Sequence, residues 1–188
     1  GWDYNSQTGR WNWEGEGTDQ NAYEPLFGQY SSLASGWDQL AYAAPYYLIF
    51  KSAGNDRNDN PAENNNVYIP GIGNTHYDPA SHPPGDGVYF HSGYDNIGTQ
   101  GCAKNIMTVG AIDDVTRNGD GSYSSGGAMS TFSGWGPTDD GRIKPDVVAN
   151  GVDLTSCYIS SNSSYAISSG TSMSSPNAAG SASLLLQH

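Results

Sequence analysis

The stretch that most constrains the fold of this chain is residues 170–176, Gly-Thr-Ser-Met-Ser-Ser-Pro. An apolar run at residues 178–186 follows it, and together they predict a long helix over residues 172–186. A serine at the start of a buried helix lies at the positive end of the helix dipole, where free backbone N–H groups can hold a developing oxyanion. The pattern therefore predicts a nucleophile at Ser172. The alternative is an ordinary N-cap serine.

The length and charge of the chain exclude some classes of function. The 188 residues suit one domain with a real core. Because 19 acidic residues face 7 basic ones, for a net charge of −12, binding of nucleic acid through its phosphates is excluded. The chain has no basic amphipathic helix and no apolar run of membrane-spanning length, which argues against a membrane partner. Low Lys and abundant Gly, Asn, Ser and Tyr favour a secreted or cell-surface enzyme.

The two cysteines, Cys102 and Cys157, could form one disulfide or remain buried thiols. Their spacing does not decide between these states. No Cys-x-x-Cys pair is present that would suggest a zinc site.

The first third of the chain predicts a loop, a helix and a strand. Residues 1–30, rich in Trp, Tyr and Gly, have no clear period and predict a surface loop with aromatic anchors. Residues 31–43 predict a helix that ends at Pro45, with Leu33, Trp37, Leu40 and Ala44 on one face. The short apolar run at residues 46–50 predicts a buried strand.

Further strands are predicted along the rest of the chain. Residues 56–101 are so rich in Pro, Gly and Asn that they predict mostly loop, with one short strand at residues 67–69. The remaining predicted strands are residues 106–112, 130–133 and 146–149, and residues 152–165 predict strand and turn. A helix followed by a buried strand is typical of an α/β fold with a parallel sheet.

Five motifs in order resemble those of the subtilisin-like serine proteases. They are Ser-Ala-Gly-Asn at 52–55, Asn-Ile-Met-Thr-Val-Gly-Ala at 105–111, Phe-Ser-Gly-Trp-Gly-Pro at 132–137, Lys-Pro-Asp-Val-Val-Ala at 144–149 and the serine motif at 170–176. The resemblance implies a three-layer α/β fold with a mostly parallel sheet flanked by helices, incomplete in this chain.

The same resemblance implies a catalytic role for two residues. Ser172 would attack the scissile carbonyl of a peptide or protein substrate. The Asn55 side-chain amide and the Ser172 backbone N–H would hold the oxyanion of the tetrahedral intermediate. No cofactor is required for this chemistry.

The general base that the family's mechanism needs has no matching motif here. The family's aspartate and histidine precede the oxyanion asparagine, but the residues before Asn55 contain no histidine. The histidines, which lack the family's flanking pattern, are His76, His82, His91 and His188. The pair Asp139 and Asp140, before Gly141, lies where the family has a loop, and Asp146 belongs to the Lys-Pro-Asp strand.

We therefore expect residues 1–188 to be a single partial domain, the C-terminal half of a subtilisin-like peptidase domain. It would be a competent serine endopeptidase only with a complementary N-terminal segment that supplies the aspartate and the histidine. The alternative is a non-catalytic binding module, or pseudoprotease, that keeps the substrate cleft.

Two groups of acidic residues are candidate sites for a structural calcium ion. Asp56, Asp59 and Glu63 form one group, and Asp113, Asp114 and Asp120 form the other. Carboxylate oxygens at this density could hold calcium. Solvated acidic loops explain the same pattern.

Overall fold

The structure is a computed structural model that describes residues 1–86 and 93–187. Its two helices are α1 (Ser32–Ala43) and α2 (Thr171–Leu185). Its strands are β1 (Trp2–Asn5), β2 (Arg10–Trp13), β3 (Phe50–Ser52), β4 (Asn66–Ile69), β5 (Gly73–His76), β6 (Met107–Ile112), β7 (Thr116–Arg117), β8 (Tyr123–Ser125), β9 (Val147–Asn150), β10 (Leu154–Cys157) and β11 (Tyr165–Ser168).

A parallel three-stranded sheet in the order β3-β6-β9 forms the centre of the fold. Ser52 lies opposite Val109 in β6, and Val109 in turn lies opposite Val147 in β9. Residues 108–111 of β6 are buried, as expected for the middle strand of a sheet that is covered on both faces. The predicted strand at residues 106–112 is confirmed.

Helical segments cover the two faces of this sheet. On one face α2 packs against all three strands, and a Cβ at Gly151 would lie 2.7 Å from the Ala111 Cβ and 3.1 Å from the Ser174 Cβ. On the other face the Thr108 hydroxyl donates to the Gly101 carbonyl (2.7 Å), within a one-turn 3₁₀ segment against which α1 packs. The expected three-layer α/β arrangement is confirmed.

Helix α1 begins and ends where the sequence predicts, but two residues of its apolar stripe face outward. Ser31 is the N-cap, and its hydroxyl accepts a hydrogen bond from the Ala34 N–H. Leu33 and Leu40 are 55% and 53% exposed, whereas the buried positions are Ala34 and Asp38. Of the expected stripe, Trp37 packs against the buried cluster that includes Ala34, so the expected helical face is only partly the one that packs.

A buried carboxylate holds α1 in place. Asp38 accepts hydrogen bonds from the backbone N–H groups of Lys104 and Asn105 (2.8 and 2.6 Å to Oδ1) and from the Tyr30 hydroxyl (2.7 Å). Burial would raise the pKa of Asp38, but these hydrogen bonds outweigh it and lower the pKa. The helix thus docks through polar contacts, which an apolar pattern does not reveal, as well as through the apolar contacts of Ala34 and Trp37.

The strand predicted at residues 46–50 is corrected. Pairing with β6 begins only at Phe50, and Tyr46, Tyr47 and Leu48 are exposed. An apolar run becomes a buried strand only where neighbouring elements cover it. Here none of the described elements does so.

The loop predicted at residues 1–30 is also corrected. Two of its segments are β1 and β2, which join β4 and β5 in a second sheet of order β1-β2-β4-β5. One face of that sheet buries a cluster consisting of Trp2, Trp13, Ala22, Val67, Ile69 and Tyr77. The strand predicted at residues 67–69 is confirmed as β4, and β5 was missed.

The later predictions are mixed. The strand at residues 146–149 corresponds to β9, the strand and turn at 152–165 to the hairpin β10–β11, and the long helix to α2. Residues 130–133 are not a strand but bends that pack beside β6.

Cys102 is buried, Cys157 is exposed, and both are free thiols, so they are not bonded to each other. Among the described helices, none has the length and apolar character needed to cross a membrane.

Candidate active site

The serine motif forms the start of α2. Gly170 is the N-cap, with a φ of 155° that side chains rarely adopt. Thr171 and Ser174 in the first turn are buried, whereas Ser172 is exposed. The interpretation of Ser172 as an N-cap residue is therefore wrong, because it lies within the helix. Its hydroxyl faces solvent at the positive end of the helix dipole.

The side chain of Asn55 reaches the start of α2 from the sheet. Its Oδ1 accepts hydrogen bonds from the Thr171 N–H (2.9 Å) and the Thr171 hydroxyl (2.8 Å). The Thr171 Oγ1 in turn accepts from the Gly54 N–H (3.3 Å). Because Oδ1 is engaged by Thr171, the amide nitrogen Nδ2 is the end of Asn55 that can donate to a ligand.

Two hydrogen-bond donors thus lie at the same helix terminus. Nδ2 of Asn55 is 3.4 Å from where a Cβ of Gly170 would stand, and the Ser172 N–H belongs to the first turn of α2. Within residues 1–86 and 93–187, neither donor has a recorded acceptor. A pair of unengaged donors beside an exposed serine hydroxyl can hold the oxyanion of an acyl-transfer intermediate.

The end of β3 and a glycine turn position Asn55. The Ala53 N–H donates to the Val109 carbonyl (2.9 Å), which ties the chain to β6 just before Asn55. The Gly134 N–H donates to the Gly54 carbonyl (3.0 Å). A Cβ at Gly134 would lie only 2.8 Å from the carbonyl oxygens of Ala53 and Asn96, so the turn can pack this closely only as glycine.

The Lys-Pro-Asp motif holds β9 and, through it, the start of α2. The Lys144 Nζ, almost fully buried, lies 2.6 Å from Oδ2 of Asp146, which also accepts from the Thr108 N–H (2.7 Å). One residue past β9, the Gly151 carbonyl accepts from the Gly170 N–H (2.8 Å). The motif therefore has a structural role, and Asp146 lies in an ion pair rather than beside Ser172.

Within the described residues, the structure brings no histidine to Ser172. His76 lies in β5, opposite Asn66. The His82 Nδ1 accepts from the Asp78 N–H (3.0 Å) in a surface turn. His91 and His188 lie outside the described residues.

The Asp-Asp-Gly stretch lies away from the serine. Asp140 pairs with Arg142 (2.9 Å), and the N–H of the preceding Asp139 donates to the Gly28 carbonyl (3.0 Å). Hydrogen bonds from Thr138 and Arg142 lower the pKa of Asp140 to about 2. This carboxylate belongs to a surface ion pair.

A cavity of about 310 Å³ lies next to β1 and reaches Asp56, the residue after Asn55, and carboxyl groups line much of it. The residues with acidic side chains are Asp3, Glu14, Glu24, Asp56 and Asp86. Burial raises the pKa of Asp86 to about 8 and that of nearby Asp59 to about 6. In the part of the chain that the structure describes, no group of three His, Cys, Asp or Glu side chains is placed to hold a metal ion. Structural calcium stays a prediction.

Sequence reasoning missed two residues of the site. Thr171 lies inside the serine motif, but its hydrogen bonds to Asn55 join residues 116 positions apart. Arg57 follows Asn55 by two positions and stacks on Trp135. The sequence signal that could have drawn attention to Arg57 was its positive charge in an otherwise acidic stretch.

Comparison with known proteins places these features in one family. The model of the Subtilase family matches residues 6–188. The chain belongs to the subtilase family. It is a peptidase domain of that family, and the order of its motifs along the fold agrees with this assignment.

Curated subtilase relatives include two bacterial proteases. The chain is 52% identical over 96 residues to the C5a peptidase of Streptococcus pyogenes serotype M3, a match that covers 51% of this chain and 8% of that protein. It is 39% identical over 111 residues to the serine protease AprX of Bacillus subtilis, covering 52% of this chain and 24% of that protein. The chain thus spans less than a quarter of either relative. Among solved structures, the S41 psychrophilic protease matches 81% of this chain and 38% of its own, with 26% identity and a TM-score of 0.46.

Proposed function

We propose that this chain is the serine-bearing part of a subtilase serine endopeptidase, which hydrolyses peptide bonds in peptide or protein substrates. The observation that carries the proposal is the pair of hydrogen bonds from Thr171 to Oδ1 of Asn55. They orient the Asn55 amide so that Nδ2 and the Ser172 N–H are both available beside the exposed Ser172 hydroxyl.

The proposed mechanism uses this geometry directly. The Ser172 Oγ attacks the scissile carbonyl, and the hydroxyl proton goes to a histidine base. The carbonyl oxygen becomes an oxyanion that accepts from Nδ2 of Asn55 and the Ser172 N–H. The intermediate then collapses to an acyl-enzyme as the amine leaves with a proton from the histidine, and water releases the acid.

The histidine and its aspartate partner come, in this proposal, from a complementary N-terminal segment of the same protease. An exposed apolar surface beside α1 and the start of β3 supports it. There, a groove of about 820 Å³ is lined by Tyr42, Tyr46, Leu48 and Leu186, among others. Strand β3 is also an edge of its sheet. Exposed apolar surface and a free sheet edge are features that a further segment would cover.

We further propose that the protease acts outside the cell or at its surface, with no nucleic-acid or membrane partner. The acidic charge of −12 supports the first exclusion, since phosphates would be repelled. Calcium, if bound by the acidic loops, would stabilise the fold and take no part in the chemistry.

A serine-reactive fluorophosphonate tests the nucleophile. In the intact protease, with the proposed upstream segment present, we expect labelling that Ser172→Ala abolishes. Ser175→Ala, one helical turn along α2, is the matched control and should label as the parent does. Residues 1–188 alone should label slowly and hydrolyse peptides barely, because the base is absent.

Two outcomes would contradict the proposal. Equal labelling of Ser172→Ala and the parent would exclude Ser172 as the nucleophile. No labelling of the intact protease would favour the binding module instead.

A further inference from the structure

Arg57 ties the Asn55 turn to two other segments of the chain. It lies in the one-turn 3₁₀ segment Asp56–Asn58, for which Asn55 is the N-cap. Its Nε donates to the Gly93 carbonyl (3.0 Å), and its Nη1 donates to the Ser130 carbonyl (3.4 Å). Its backbone N–H donates to the Phe132 carbonyl (3.4 Å). Three backbone oxygens therefore fix this one residue.

The guanidinium also stacks on an aromatic ring. Its Cζ lies 3.8 Å from the centroid of the Trp135 ring, which in turn contacts Tyr94 at 5.2 Å between centroids. This is a close cation–π contact. None of the ion pairs in the described part of the chain includes Arg57. An arginine held by carbonyls and an indole, rather than by a carboxylate, contributes directional contacts more than charge pairing.

The supports of Arg57 and of Asn55 belong to the same turn. Residues 130–135 supply the Ser130 and Phe132 carbonyls and the Trp135 ring to Arg57, and they include Gly134, which bonds to the Gly54 carbonyl. The Asn96 side chain links the remaining segment, because it accepts from the Trp135 N–H (2.6 Å) and donates to the Gly93 carbonyl (3.2 Å). Arg57 thus joins the segment at residues 93–96 and the turn at residues 130–135 to the turn that carries Asn55.

We propose that Arg57 is a positioning residue that keeps the Asn55 side-chain amide in its place against the first turn of α2. Thr171 holds the Oδ1 end of the amide, while Arg57 holds the backbone turn from which the side chain extends. Without Arg57 the turn loses the two guanidinium N–H donors to Gly93 and Ser130 and the stacking contact with Trp135. The Asn55 Nδ2 then moves relative to the oxyanion. An oxyanion donor that is misplaced by about 1 Å loses much of its effect on the rate.

This inference rests on the proposed function, and a double-mutant cycle separates the two. In the intact protease, kcat and KM are measured on a peptide substrate for Asn55→Ala, Arg57→Ala and the double variant. We expect Arg57→Ala to lower kcat about 10- to 100-fold with KM changed less than about threefold, because the loss falls on the transition state. In the Asn55→Ala background the same change should have almost no effect.

Two further variants serve as controls. Arg57→Lys keeps the charge over Trp135 but loses the guanidinium donors, so kcat should lie between those of Arg57→Ala and the parent. Arg117→Ala removes an exposed arginine of the β7–β8 hairpin, whose Nη1 donates to the Gly121 carbonyl, and should leave both constants unchanged.

Each outcome has a distinct meaning. If Asn55→Ala leaves kcat unchanged, the oxyanion role in the proposed function fails. If Asn55→Ala lowers kcat but the effect of Arg57→Ala is as large in the double variant as in the single one, the positioning role is overturned. If Arg57→Ala does not fold, the cycle is run with Arg57→Lys. An unchanged kcat for that folded variant would overturn the proposal as well.

Discussion

At the residue scale, one asparagine has a structural task and a proposed catalytic task at the start of α2. The N-cap is Gly170, which has no side chain to accept from the free N–H groups of the first turn. Oδ1 of Asn55 accepts from the Thr171 N–H instead, so a residue from a distant strand end caps the helix. The same hydrogen bond directs Nδ2 to the side where the oxyanion would form. In the proposed mechanism, helix capping and the placement of the oxyanion donor are thus coupled in one amide.

Asp86 makes stability depend on pH. Burial raises its pKa from an ordinary value of about 3.9 to about 8, so the folded state binds this proton more tightly than the unfolded chain does. Its contribution to stability is therefore complete below about pH 4 and is lost as the pH rises toward 8. We expect the free energy of unfolding, measured by urea denaturation, to fall from pH 5 to pH 8 by up to about 1 kcal/mol per pH unit. Asp86→Asn should flatten the profile.

Asp120→Asn is the matched control for that measurement. Hydrogen bonds from Ser122 lower the pKa of this exposed carboxyl, so its proton is lost in both states above pH 5. The slope between pH 5 and pH 8 should be unchanged. A profile for Asp86→Asn as steep as that of the parent would show that Asp86 is not the group responsible.

At the element scale, glycine turns allow the site's segments to approach one another. The turn at residues 132–137 touches the end of β3 through Gly134, and the start of α2 rests on Gly151. In each case a Cβ would lie within 2.8 Å of a backbone carbonyl oxygen. These two glycines set the spacing between the segments that hold Asn55 and Ser172.

Gly134→Ala tests this spacing. The added Cβ would collide with the carbonyls of Ala53 and Asn96, so we expect a loss of about 1–3 kcal/mol in the free energy of unfolding, together with a lower kcat. Gly180→Ala is the control, since that exposed position in α2 has open space around it and should gain about 0.5–1 kcal/mol. Thermal unfolding of the two variants gives opposite shifts in Tm. A neutral Gly134→Ala would mean that the turn can move away without consequence.

At the scale of the whole molecule, the described part of the chain buries three separate apolar clusters and leaves a further apolar set exposed. The aromatic cluster around Trp2 lies on the four-stranded sheet, a second cluster joins Ala34 of α1 to Ala103 and Ile106, and a third consists of Ala53, Ile97 and Cys102. The exposed set follows α1 and the start of β3 and includes Leu33, Leu40, Tyr42 and Tyr46. Apolar side chains gathered in this way mark an interaction surface, and we propose that the upstream segment covers it.

Leu40→Glu tests the proposed cover. The change should alter the stability of residues 1–188 by less than about 0.5 kcal/mol, because Leu40 is exposed there. It should weaken binding of a separately expressed upstream segment by about tenfold or more, because a carboxylate would then be buried. Ile159→Glu, at a 92% exposed position between β10 and β11, is the control and should not affect binding. Equal binding by both variants, measured by calorimetry, would contradict a cover at this surface.

The elements that sequence predicts best are those set by local pattern. The strand at β6 and the limits of α1 follow from periodicity and capping residues, which act within a few positions. The prediction of a surface loop at residues 1–30 was wrong because Trp2 and Trp13 become buried only when β4, more than fifty positions later, completes their sheet. The prediction that Leu33 and Leu40 of α1 would pack inward was wrong for a similar reason, since the contacts of Asp38 with the distant Lys104 and Asn105 help to decide which side docks.

The sequence by itself determined the family and the identity of Ser172 and Asn55 as candidates, because both lie in short motifs whose residue types and spacing carry the information. Tertiary structure alone decided which end of the Asn55 amide faces Thr171, and it alone revealed that Arg57 joins two other segments to the turn that carries Asn55. Those contacts join segments far apart in the chain, from residue 57 to residue 130 and from residue 55 to residue 171. Their geometry depends on how the sheet, the turn and α2 pack together, which no local pattern encodes.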